Sequence, residues 1–231
     1  MKRLATPLLA AALVLTPGAA VFGQTTLAVT AGVNRTSIGV DMARYVYPHF
    51  NSDRHPDFRS ATGPMIGLAV TRPLSGNLSL EVGGLYSKKG TRWKNRSDGV
   101  HYETGMEPEY LELATLLKVG LPLPGSRVSA YATAGPAVAF KTSCDWNEVV
   151  SIRGVVVSEV NLRCERVRLG LSRFDFGLSG GAGVETALSD GLGVSVGVVH
   201  TLGLLNVGAR GTGRIKNRAM SLRAGIVTPI G

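Results

Sequence analysis

Apolar and polar residues alternate along much of this 231-residue chain with a period of two, the spacing that puts successive side chains on opposite faces of a strand. In residues 77–88, Leu78, Leu80, Val82 and Tyr86 alternate with Ser79, Glu81, Gly83 and Ser87. In residues 174–187, Phe174, Phe176, Leu178, Ala182 and Val184 alternate with Asp175, Gly177, Ser179, Gly181, Gly183 and Glu185. Met220, Leu222, Ala224 and Ile226 alternate with Ala219, Ser221, Arg223 and Gly225. Residues 110–119 are rich enough in Leu, Ala, Glu and Lys to suggest an amphipathic helix. Read as a strand, the same stretch puts Leu111, Leu113, Leu117 and Val119 on one face and Glu112 and Lys118 on the other, in keeping with its neighbours.

Eight extended segments follow from this reading: 25–34, 63–72, 77–88, 108–121, 126–141, 174–187, 191–203 and 216–228. Each is close to the roughly 9–11 residues that a tilted strand needs to cross a bilayer. The connections alternate strictly in length. The short ones, "RPLSG", "PLPGS" and "LSDG", are turns of Pro, Gly, Asp and Ser; the longer ones are 35–62, 89–107, 142–173 and the Gly-rich 204–215. In an up-and-down meander that places every long loop at one end and every short turn, with both termini, at the other. The expected fold is therefore all-β: an eight-stranded antiparallel up-and-down transmembrane β-barrel with short periplasmic turns and longer outer loops. Tyr86, Tyr110, Phe140 and Phe174 fall near the loop ends of their strands, where an aromatic girdle belongs. A soluble barrel of the lipocalin kind also alternates, but it turns its oily face inward around a ligand. The glycine-rich polar face here suits a narrow lumen instead.

The chain starts with two cations, an apolar run interrupted by Pro7 and Pro17, and small residues up to Gly23. This pattern predicts a cleavable signal peptide over 1–23, with the barrel domain over 24–231 and a mature chain starting at Gln24, or at Val21 if cleavage follows Ala20. Lys2 and Arg3 leave with the signal, so the formal charge falls from +9 to +7. In an exported protein the anionic neighbours of such a chain are lipid headgroups and phosphorylated glycolipid rather than nucleic acid. Export permits a disulfide between the two cysteines, Cys144 and Cys164, two free thiols being the alternative. His49, His55, His101 and His200 lack ligand spacing, and neither a metal nor a cofactor is expected.

Charged residues on the polar faces carry the main structural expectation. Glu81, Glu112, Lys118, Glu185 and Arg223 lie opposite the oily positions of their strands and point into the lumen, where the acids are expected to pair with Lys118 and Arg223 and close the barrel. Two basic clusters lie in the longer connections. One is Lys88, Lys89, Arg92, Lys94 and Arg96 around Trp93; the other is Arg210, Arg214, Lys216 and Arg218. Lys88, Lys89, Arg92, Trp93, Lys94, Arg96, Arg210 and Arg214 are candidate contacts to lipopolysaccharide phosphates. The run "GLSGGAGVE" (177–185) lacks the Lys-Ser/Thr of a phosphate loop and the spacing of a dinucleotide fold, and reads as small residues lining a barrel. His200 has no carboxylate and serine evidently placed beside it for general-base chemistry. His101, with Ser97, Asp98 and Glu103, lies in a polar loop where such residues are ordinary.

"EYLELATLLKVGLP" followed by "AYATAGPAVAF" resembles the paired fourth and fifth strands of the outer-membrane β-barrel domain family of Bacteroidetes-type bacteria, which includes the PorT-like proteins. "LYSKKG", "FDFGLSGGAGVE" and "KNRAMSLRAG" resemble its third, sixth and eighth strands, so the likeness covers the whole mature chain. Ala114 and Thr115 stand where a proline normally follows in the fourth strand, and the chain ends "IVTPIG" rather than on an aromatic residue. The resemblance implies an outer-membrane location in a Gram-negative bacterium and insertion by the outer-membrane assembly machinery. The expected function is that of a monomeric, non-enzymatic barrel with a filled lumen and a structural or loop-mediated binding role. The alternatives are a lipid-modifying barrel enzyme and a soluble secreted lipocalin-like binding barrel.

Overall fold

The computed structural model describes residues 24–40, 57–97, 99–167, 171–189, 191–207 and 215–230. The expected signal peptide, Arg210 and Arg214 lie outside the described residues. Among the described residues ten strands form one antiparallel sheet: β1 (Thr26–Val40), β2 (Asp57–Ser75), β3 (Leu78–Lys88), β4 (Thr91–Ser97), β5 (Val100–Pro122), β6 (Val128–Ile152), β7 (Val155–Arg163), β8 (Phe174–Ser189), β9 (Leu192–Gly203) and β10 (Ile215–Pro229). Eight of them close a ring in the order β1, β2, β3, β5, β6, β8, β9, β10, and β10 pairs back onto β1 from Thr26↔Pro229 to Val40↔Ile215. These eight strands are the eight segments read from the period-two pattern.

The faces sort as alternation requires. Val33, Ile66, Leu68, Leu111, Leu113, Leu117, Leu178, Val196, Val198, Met220 and Leu222 are exposed on the outer wall, whereas Glu112, Thr133, Asp175, Ser179 and Ser221 are buried on the inner one. An oily exterior around a polar interior is the inverse of a lipocalin and excludes that alternative. Tyr86, Leu111, Phe140 and Phe174 lie in one register line across β3, β5, β6 and β8, and the two phenylalanine rings meet edge to face with centroids 5.3 Å apart. Tyr110 is not part of this girdle. It lies on the opposite parity and is buried in the lumen.

The long connections differ most from expectation. Residues 89–107 and 142–173 were expected as loops, yet most of both is strand. β5 and β6 run 23 and 25 residues, about twice what a bilayer crossing needs, so their outer halves continue beyond the lipid-facing band. There β4 pairs with the start of β2 and with β5, while β7 pairs with β6. The result is an outer wall built on the barrel rim.

A register shift makes the inner side of that wall apolar. Glu109 pairs with Ser143 but Tyr110 pairs with Lys141, so Thr142 is the extra residue of a β-bulge. Before the bulge the odd residues of β6, such as Thr133, Ala137 and Ala139, face inward; after it the even residues Cys144 and Trp146 do. With Trp93 and Met106 they form a second core, in which Trp93 is 1% exposed and its ring meets Trp146 edge to face at 5.1 Å.

Cys144 and Cys164 are joined in a disulfide, their Cα atoms 5.4 Å apart, and both are fully buried in this core. The bridge spans 20 residues of chain, which in the chain-entropy account stabilises the wall by about 3 kcal/mol. Denaturant unfolding with and without reductant should differ by about that amount, and unreduced denatured protein should take up no thiol label. Labelling at both cysteines would contradict the bridge.

Candidate functional site

Two charged layers cross the lumen. In the outer one, Lys89 Nζ lies 2.9 Å from Glu112 Oε1, and Ser87 donates its hydroxyl hydrogen to the same carboxylate oxygen. β3 has just ended at Lys88, and the Lys89 backbone N–H donates to Pro108 O at 2.9 Å, which holds the lysine against the inner wall. Its ammonium lies 5.2 Å from the Tyr110 ring centroid. Asn217 Nδ2 donates to Asp175 Oδ2 at 2.9 Å in the same layer, and a cavity of only about 10 Å³ remains between Lys89, Glu112, Asp175 and Asn217. That is space for about one water molecule.

The inner layer is looser. Lys118 Nζ bonds Glu185 Oε2 at 2.5 Å and lies 4.6 Å from the Tyr131 ring centroid. Tyr131 can lie along the wall because two neighbouring strands present glycine there. A Cβ at Gly183 would come 2.5 Å from the ring, and one at Gly197 would come 2.4 Å from the hydroxyl. Below this layer, at the short-turn end, the lumen widens into a vestibule of about 760 Å³.

The five interior charges therefore divide differently from the expected pairing. Lys118 takes Glu185, as one of the expected pairs, but Glu112 takes Lys89 rather than Lys118 or Arg223. Glu81 and Arg223 both line a chamber between the two layers. Lys89 and Trp93, expected at the surface as glycolipid contacts, are 6% and 1% exposed and face inward. The reason for both is parity: Lys89 follows the inward Ser87, and Trp93 follows the inward Thr91, at intervals of two.

The remaining cations of the first cluster do face out. Arg92, Lys94 and Arg96 are exposed on β4, while Lys88 is about one-third exposed at the end of β3. Glu107 receives both Lys88, at 2.8 Å, and Arg92, at 3.3 Å, and Lys94 meets Glu103 at 2.8 Å. The hydrogen bond from Lys88, with Arg92 beside it, holds the Glu107 carboxyl below the usual carboxylate range. A lowered carboxyl contributes stability above its unfolded value that is lost as pH falls through the folded one, so this contact is present at neutral pH. Ring closure then adds what sequence clusters do not show. Lys216 and Arg218 of β10 are exposed beside β1, where Arg35 is exposed, and Arg59 of β2 pairs in register with Arg92. The described, outward-facing cations of the two clusters form one basic belt across β10, β1, β2 and β4. It starts two residues beyond lipid-facing positions, with Arg35 after Val33, Lys88 after Tyr86 and Arg218 before Met220.

Among the described residues no catalytic constellation forms around His200. His200 is exposed on the lipid-facing side of β9, in register with Gly180 and Met220. Ser179 and Thr201 hydrogen-bond each other at 2.8 Å on the lumen side. Residues 177–185 lie within β8, with no helix to complete a phosphate site.

Residues 22–207 match the outer membrane protein beta-barrel domain family. The chain belongs to this family. Among solved structures it is similar to the outer membrane protein OprG from Pseudomonas aeruginosa, at 15% identity over 90% of this chain and 97% of that one, with a TM-score of 0.50. It is also similar to Neisserial surface protein A, at 14% identity over 88% and 97% with a TM-score of 0.45. Ail of Yersinia pestis, solved with the heparin analogue sucrose octasulfate, matches at 11% identity over 89% and 99% with a TM-score of 0.39. No curated protein matches the sequence. Family membership places the protein in the outer membrane, and the likeness to OprG is one of fold.

Proposed function

We propose that this outer-membrane barrel is a closed, non-catalytic scaffold whose role is carried by its outer wall, where the basic belt meets the phosphates of outer-leaflet glycolipid. The observation that carries this reading is the continuity of Arg218, Arg35, Arg59, Arg92, Lys94 and Arg96 across four adjoining strands, directly beyond the apolar band. Arginine is suited to such contact because its planar fork matches phosphate oxygens. The protein acts as a monomer, is inserted by the outer-membrane assembly machinery, and has its signal removed before Gln24. The motifs of its third to sixth strands support a place in the PorT-like branch of the family.

The test is the phosphorylated glycolipid that co-purifies in mild detergent, measured by mass spectrometry. The triple variant Arg92→Gln, Arg96→Gln, Arg218→Gln should retain several-fold less than the wild type, while deletion of the gene should leave the acyl pattern of the membrane lipids unchanged. Equal retention would remove the glycolipid contact, and an altered acyl pattern would point to an enzyme.

A further inference from the structure

Between the two charge layers lies a chamber of about 70 Å³, with Ala114, Leu116 and Thr133 in its wall and Lys118 and Glu185 at its inner end. At roughly 10–15 Å³ per water by this measure it holds about five to seven water-sized atoms. It shares Thr26, Thr71, Lys118 and Glu185 with the vestibule, so the Lys118–Glu185 pair is the partition between the two spaces, whereas the Lys89–Glu112 layer closes the way to the outside.

The chamber contains polar groups that the protein does not satisfy. Arg223 lines it, and among the described residues its guanidinium has no hydrogen-bond or ion-pair partner, even though its Nε is shut off from solvent. Thr133 lines the same wall at 7% exposure with its hydroxyl unpartnered. Glu81 also lines the chamber without a direct partner among the described residues. Lys118 and Glu185 satisfy each other. What remains is the Arg223 cation and the Glu81 carboxylate facing a common space, with the Tyr131 side chain within electrostatic range of both and Glu112, held by Lys89, within range of Arg223.

Half-buried charges without a direct partner favour a solute that returns their lost hydration. A simple anion on Arg223 would bring negative charge toward Glu81, and a simple cation on Glu81 would bring positive charge toward Arg223. A solute carrying both charges satisfies both ends and leaves the chamber neutral. We propose that the chamber is a binding site for a small zwitterion, with its carboxylate on the Arg223 fork and the Thr133 hydroxyl and its ammonium on Glu81. This goes beyond the outer-wall reading and does not depend on it. The vestibule faces the periplasm, so the ligand comes from that side, past the Lys118–Glu185 pair.

The experiment uses the mature protein in lipid nanodiscs, titrated separately with glycine, sodium acetate and methylammonium chloride at constant ionic strength. Binding is followed by the NMR resonances of Thr133 and Tyr131. Glycine should give saturable shifts, and acetate and methylammonium should each bind at least tenfold more weakly. Arg223→Gln and Glu81→Gln should each weaken glycine binding tenfold or more, while Arg127→Gln at the vestibule rim should change it less than twofold. The three-probe comparison on wild-type protein stands even if a variant fails to fold. Absence of saturable shifts with glycine, acetate binding as tightly as glycine, or unchanged binding in both chamber variants would overturn the proposal.

Discussion

Replacing Lys89 by Met is expected to lower the unfolding free energy by about 3–5 kcal/mol, because it leaves the Glu112 carboxylate buried without its cation. The size follows from enclosure. The Lys89 and Glu112 side chains are 6% and 9% exposed, against 14% and 32% for Lys118 and Glu185, so solvent compensates the inner pair and not the outer one. Lys118→Met should therefore cost clearly less. Ser87 still donates to Glu112 in the variant, but a neutral hydroxyl does not replace an ammonium. Adding Glu112→Leu to Lys89→Met should recover most of the loss, since a buried ion pair exchanged whole for apolar groups is often neutral. Urea unfolding in detergent micelles, followed by tryptophan fluorescence and heat-modifiable gel migration, measures all three. A Lys89→Met protein with the wild-type midpoint would show that the layer is wet and contributes little.

Trp93→Ala is expected to cost about 3–5 kcal/mol, the range for removing a buried aromatic side chain from a packed core. Its edge-to-face contact with Trp146 contributes roughly 0.5–1.5 kcal/mol beyond burial. Trp93 packs in the outer wall with Met106 and the disulfide, so the loss should be local. Limited proteolysis should open cleavage between residues 89 and 107, while the membrane strands keep their heat-modifiable migration. Unchanged protease resistance would mean that the wall does not depend on this core.

The eight barrel strands and the direction of their faces were legible because lipid and lumen impose opposite chemistry on alternate residues. Glu81, Glu112, Lys118, Glu185 and Arg223 could be sent inward from parity alone. Partner choice was not legible: Lys89 lies one residue beyond β3, in a run of cations that reads as solvated surface, and only the interval of two from Ser87 marks it as inward. The outer wall was missed for a related reason. Its exterior meets water, so Arg92, Lys94, Glu103 and Glu107 make the segment look like loop, while its inner positions Thr91, Trp93, Thr104 and Met106 carry the strand signal. The bulge at Thr142 hid Cys144 and Trp146 further, since period two counted from the membrane part of β6 sends both outward. The belt depended on ring closure, which brings Arg218 beside β1 and is invisible in a linear sequence.

Conductance across planar bilayers tests the closed lumen most directly. With Lys89, Glu112, Asp175 and Asn217 leaving only about 10 Å³ between them, and the Trp93–Trp146 core in the wall beyond, the wild-type protein should show no steady ion current at either polarity in molar salt. A large, stable conductance from folded wild-type protein would contradict the account.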